Sequence, residues 1–166
     1  MPAYVIGPSY TAAGVVTEVA TGTALRTVLQ LATPSTTSAQ IIGWGISFKG
    51  VAAADSPILV QLMATDTGMS AATSLTPTAW DVPAATSLCV GGTGATAVAD
   101  ASVTETTITA SRLLDAQEIH PQTGYSVIWD RADWPTIQRS YFCRIRVTAS
   151  VDVSCLPWLR YFEPAQ

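Results

Sequence analysis

Apolar and polar side chains alternate with a period of two along most of this 166-residue chain, a spacing that predicts β-strands rather than helices. The first run begins at Thr23: Leu25, Thr27, Leu29 and Leu31 fall on one face, Arg26, Val28 and Gln30 on the other, and Pro34 ends it. A second strand is predicted over Gln40 to Phe48. A third follows Pro57, where Ile58, Val60 and Leu62 alternate with Leu59, Gln61 and Met63, apolar enough on both faces to be central or covered. Five more runs follow in the second half, at Val103 to Ala110, Leu113 to His120, Gly124 to Asp130, Tyr141 to Ala149 and Val151 to Phe162. Turn residues separate them at 120–124 and 130–135. The alternation is cleanest over Tyr141 to Thr148, which predicts Tyr141, Cys143, Ile145 and Val147 inward and Arg144 and Arg146 facing out.

Two stretches break the pattern. Residues 1–22 are small and irregular, punctuated by Gly7-Pro8, Gly14 and Gly22, and read as an N-terminal arm outside a sandwich domain of residues 23–166. Such an arm is expected to be dispensable for the fold. Residues 70–102 are low in complexity; irregular strands are expected near Ala79 to Val82 and Thr86 to Val90, with Gly91-Gly92-Thr93-Gly94 as a flexible loop. Eight to ten short strands at this spacing predict an all-β, jelly-roll-like two-sheet antiparallel sandwich with an irregular N-terminal arm.

Composition narrows what such a sandwich does. Hydrophobic residues make up 48% and charged residues 12%, about half the usual charged share of roughly 25%, so part of the surface is expected to be covered by a partner. A net charge of −4 and seven arginines with one lysine, unclustered, argue against direct nucleic-acid binding. No apolar run approaches the roughly 20 residues of a membrane-spanning helix, and the N-terminus lacks the basic region of a secretory signal, so no membrane partner is expected.

Chemistry-bearing residues are sparse. His120 is the sole histidine; a metal-binding jelly-roll enzyme needs several, so His120 reads as a strand-end residue. Cys89, Cys143 and Cys155 match neither a disulfide framework nor zinc-ligand pairs and read as buried free thiols without an activating base. Gly91-Gly92-Thr93-Gly94 lacks the Lys and helix of a phosphate-binding loop. Asp130 and Asp133 are too few for a calcium site. The expectation is a protein that is not an enzyme and takes no metal or other cofactor. Trp80, Trp129, Trp134 and Trp158 fit burial or subunit contact, with a sugar-stacking platform as the competing reading.

The stretch Ile41-Ile42-Gly43-Trp44-Gly45-Ile46-Ser47-Phe48-Lys49-Gly50-Val51-Ala52-Ala53-Ala54-Asp55-Ser56-Pro57-Ile58-Leu59-Val60-Gln61-Leu62 resembles the early core of small head proteins of tailed bacteriophages, the capsid decoration or minor capsid proteins. The likeness extends in order and spacing over residues 23–162, through a Gly-x-Ser-Phe-x-Gly strand-turn, a Pro-led strand, a Thr/Ala-rich middle and Arg-bearing closing strands. It implies a β-sandwich that self-associates, often as a homotrimer, and binds the outside of an icosahedral head. There, after assembly in the host cytoplasm, it would stabilise contacts between major capsid proteins. Residues favoured for capsid or subunit contact are Tyr4, Val5, Ile6 and Tyr10 of the arm and the terminal Trp158, Tyr161 and Phe162, chosen for their apolar character rather than from a family motif. The alternative is a carbohydrate-binding sandwich for host-surface adhesion, resting on the five tryptophans and the acidic loops, with Trp80 and Trp134 as the residues to test it.

Overall fold

In the computed structural model the strongest period-two runs become the long strands β3 (Arg26–Ala32), β4 (Ala39–Lys49), β5 (Ile58–Thr65), β9 (Ser111–Ile119), β10 (Gly124–Ile128), β12 (Phe142–Thr148) and β13 (Ser154–Phe162). Shorter strands lie between them: β1 (Ala3–Ile6), β2 (Val19–Ala20), β6 (Thr73–Leu75), β7 (Thr78–Ala79), β8 (Val90–Thr93) and β11 (Thr136–Ile137), with one 3-10 turn at Arg131–Asp133. The structure describes residues 2–10, 15–50, 56–68, 73–80, 86–93 and 111–164; the strand expected over Val103 to Ala110 lies outside them.

The strands form an all-β sandwich of two antiparallel sheets. One sheet runs β10-β4-β13-β1-β7, with β11 added on β4 and β2 on β13; the other runs β6-β8-β3-β12-β5-β9. The chain crosses between sheets from β3 to β4 to β5, from β9 to β10, and from β12 to β13, so the inward face of each sheet is built from distant parts of the sequence. Leu29, Leu62 and Ile145 of one sheet and Ile41, Trp44 and Leu159 of the other share one core, all of them 0% exposed.

Four expectations are corrected. Within residues 1–22, Ala3–Ile6 is not an arm but a strand inside the seven-stranded sheet, paired with β13 on one side and β7 on the other. Tyr4 and Ile6 point into the core, while Val5 sits on the outer face and is also buried. The pattern concealed this because four residues are too short for periodicity to register and Gly7-Pro8 breaks the run at once.

The glycine-rich stretch is the second. Val90–Thr93 is strand β8, with Gly91 opposite Leu31, whereas residues 86–89 are irregular. A Cβ at Gly91 would lie 1.9 Å from Ile6 Cδ1 and 2.8 Å from the Gln30 carbonyl oxygen, so the missing side chain permits close approach of the two sheets. Gly91→Ala is therefore expected to cost about 1–3 kcal/mol by overpacking, read as a lowered urea midpoint with an unchanged slope.

Third, β3 does not keep one phase. Its register with β12 shifts between Ile145 and Arg146, which pair with Leu29 and Thr27. The bulge lets Val28 and Leu29 both be buried and turns Thr27 to the outer face. Fourth, Arg144 faces out of the sandwich but is 0% exposed. Its Nε and one terminal nitrogen donate to Thr27 Oγ1 at 3.1 and 2.7 Å, and the other terminal nitrogen donates to the Thr67 carbonyl at 3.4 Å. The segment after β5 folds back over this face: a Cβ on Gly68 would lie 2.4 Å from the Phe142 ring. A guanidinium tolerates such burial because its fixed fork of donors is occupied.

Candidate functional site

The outer face of the seven-stranded sheet is where aromatic residues gather outside the core. On β13 the alternation sends Cys155, Leu159 and Tyr161 inward and leaves Trp158, Arg160 and Phe162 on the outside, partly exposed. Residues at this spacing recur every 6.6–6.8 Å or so, so the three mark a stripe about 13 Å long. Two partners arrive from distant sequence. Trp80, just after β7, donates its backbone N–H to the Ala3 carbonyl at 2.8 Å, which places its indole against the Arg160 guanidinium, 3.8 Å from the ring centroid. Trp134, after the 3-10 turn, donates its indole N–H to the Trp129 carbonyl at 2.9 Å and tilts onto Phe162 with ring centres 6.2 Å apart.

The strand beneath is shaped for this. A Cβ at Gly45 would fall 2.6 Å from Trp158 Nε1 and 2.7 Å from Cε2, so glycine lets the Trp158 indole lie directly on β4. Trp80 remains 52% exposed and Ile128, at the edge of the same sheet, 53%. The result is an aromatic face with one cation stacked on it, a composition found at the centres of interfaces.

The residues favoured from sequence divide by this geometry. Trp158 and Phe162 are on the stripe. Tyr161, 0% exposed, is on the opposite face of the same strand and stacks on Tyr4 with ring centres 5.6 Å apart. Tyr4, Val5 and Ile6, at 2, 3 and 0% exposure, are spent on the chain's own sheet and have no surface left for a partner. Tyr10 is partly exposed at a turn, where its carbonyl accepts from Thr78 Oγ1 at 2.9 Å. Parity along β13 could have separated Tyr161 from Trp158 and Phe162. The joining of Trp80 to Arg160 had no local signal, since they stand 80 positions apart in the chain.

Two polar clusters are structural supports. The Glu163 carboxylate, 7% exposed, accepts from the backbone N–H of Leu88 and Cys89 at 3.2 and 3.1 Å and from Ser87 Oγ, which also bonds Tyr161 Oη at 2.7 Å. It ties the segment before β8 to the end of β13. Burial first, and the nearby Glu163 second, push the Cys89 thiol upward; burial does the same to Cys143 and Cys155, so all three are held as unreactive thiols near neutral pH. At the other side of the core, Asp115 accepts from Trp44 Nε1 at 3.1 Å, Tyr125 Oη at 3.3 Å and Gln117 Nε2 at 2.9 Å. Burial, then Asp115, raises the Tyr125 phenol above its ordinary value.

His120 lies after β9, where its Nδ1 accepts from the Gln122 backbone N–H at 3.2 Å and helps form the turn into β10. Among the described residues no group of three or more His, Cys, Asp or Glu is placed to hold a metal ion, and no helix is long and apolar enough to cross a membrane. No family model matches the chain, and comparisons with curated proteins and with solved structures find no significant match.

Proposed function

We propose that this chain is a structural virion protein, a capsid decoration protein that docks on the outside of a phage head and reinforces contacts between major capsid proteins. The observation that carries the reading is the aromatic stripe of Trp158, Phe162, Trp80 and Trp134 around Arg160 on one sheet face. The order β1-β13-β4-β10 facing β3-β12-β5-β9 supports a jelly roll, an architecture used in capsid and lectin domains. The resemblance over residues 23–162 supports the capsid role within that architecture. Adhesion then works by repetition: each copy buries a modest aromatic patch, and the symmetry of the head multiplies it. The same face would serve self-association into a homotrimer or contact with the major capsid protein; the N-terminal strand serves neither.

The test is co-sedimentation of the chain with phage heads lacking it. Trp158→Ala combined with Phe162→Ala should lower occupancy more than about tenfold, since two anchors of 1–2 kcal/mol or more are lost. Circular dichroism should show the β-sandwich intact. Unchanged occupancy, or sedimentation equilibrium giving only the 17.4 kDa species at assembly concentrations, would count against the reading.

A further inference from the structure

Beside β9, the edge strand of the six-stranded sheet, a cleft of two adjoining lobes opens between the sheets. One lobe, about 340 Å³, is lined by Arg112, Trp129, Asp133 and Pro135 among others. The second, about 230 Å³, is bounded by Ser111, Thr136, Gln138 and Tyr141, and Arg112 belongs to both. These volumes suit a small ligand rather than a protein segment.

We propose that this cleft binds a neutral saccharide of one or two rings, a site independent of the capsid-contact face. The charges select the class. Arg112 and Asp133 line one lobe, both side chains are exposed, and neither forms an ion pair or side-chain hydrogen bond among the described residues. One fork of donors and one acceptor-only carboxylate held apart suit a group that donates and accepts at neighbouring atoms, as vicinal hydroxyls do. A phosphate or uronate would meet Asp133, and a lone carboxylate is too little for a cation. The backbone that carries the aromatic walls is fixed: the Trp129 backbone N–H donates to the Ile42 carbonyl at 2.9 Å, its own carbonyl accepts from Trp134, and the Tyr141 backbone N–H donates to Thr33 Oγ1 at 3.1 Å. Both rings pack partly against the core, leaving an amphipathic border of the kind that meets the C–H face of a sugar.

Saturation-transfer NMR on the full chain, with methyl glucoside, methyl mannoside, methyl galactoside, N-acetylglucosamine and glucuronate as probes, tests this. At least one neutral sugar should bind and shift the Trp129 indole N–H resonance, with glucuronate no tighter than glucoside. Arg112→Ala and Asp133→Asn should each weaken binding about tenfold or more, the loss of a hydrogen bond to a charged group, at an unchanged urea midpoint. Absence of transfer from every sugar, binding that survives both substitutions, or a shift confined to Trp80 would overturn it.

Discussion

Deleting residues 2–10 is expected to abolish cooperative folding rather than trim a tail. The deletion removes β1 from between β13 and β7 and takes Tyr4, Val5 and Ile6 out of positions 2, 3 and 0% exposed. Truncating an aliphatic core residue such as Ile6 costs about 2–5 kcal/mol, and a large aromatic such as Tyr4 about 3–5 kcal/mol. Together these rival the whole stability of a domain, about 5–15 kcal/mol. The ladder on β13 is lost as well, so the strand carrying Trp158 and Phe162 becomes an unprotected edge. Near-UV circular dichroism and a urea titration check this: the truncated chain should show no sigmoidal transition. A normal transition with an unchanged midpoint would mean that β1 adds nothing to the sheet.

Trp44→Ala should be the most damaging single substitution, lowering the free energy of unfolding by about 3–5 kcal/mol through loss of transfer energy and an uncollapsed cavity. Trp44 is 0% exposed, packs against Tyr125 with ring centres 5.1 Å apart and donates to Asp115. Trp44→Phe keeps an aromatic ring in place but forfeits the indole donor, so about 1–3 kcal/mol is expected. The pair of urea titrations separates volume from hydrogen bonding. Equal losses in the two variants would place the whole effect on the hydrogen bond to Asp115, and a loss under about 1 kcal/mol for alanine would contradict the packing.

Among the described residues, strand existence was legible where apolar alternation ran for seven residues or more. β4, β5, β12 and β13 lie close to where the pattern places them, because a half-buried strand must repeat its buried face every second residue. Where the signal was short or the face doubly covered, reading along the chain failed. β1 has four residues, β8 is half glycine, and Arg144 is charged yet enclosed, because burial there depends on Thr27 and on the returning segment at Thr67. Half of the candidate site was legible: Trp158 and Phe162 announce themselves near the end of the chain, while Trp80 and Trp134 join them only through the ends of β7 and the 3-10 turn. Trp129 and Asp133 stood out along the chain, but their joining to Arg112 in one cleft did not, since the walls come from β5, β9, the loop after β10, β11 and the turn before β12.

Local alternation and turn chemistry by themselves determined that this chain forms strands and that those strands pack as a sandwich. Which strands are neighbours, which face of β13 meets solvent, and which aromatics share that face were decided by tertiary structure alone. The physical reason is that the crossings from sheet to sheet set partners by burial against residues far along the chain, as when Ala3 pairs with Phe162, and a period of two carries no record of the partner.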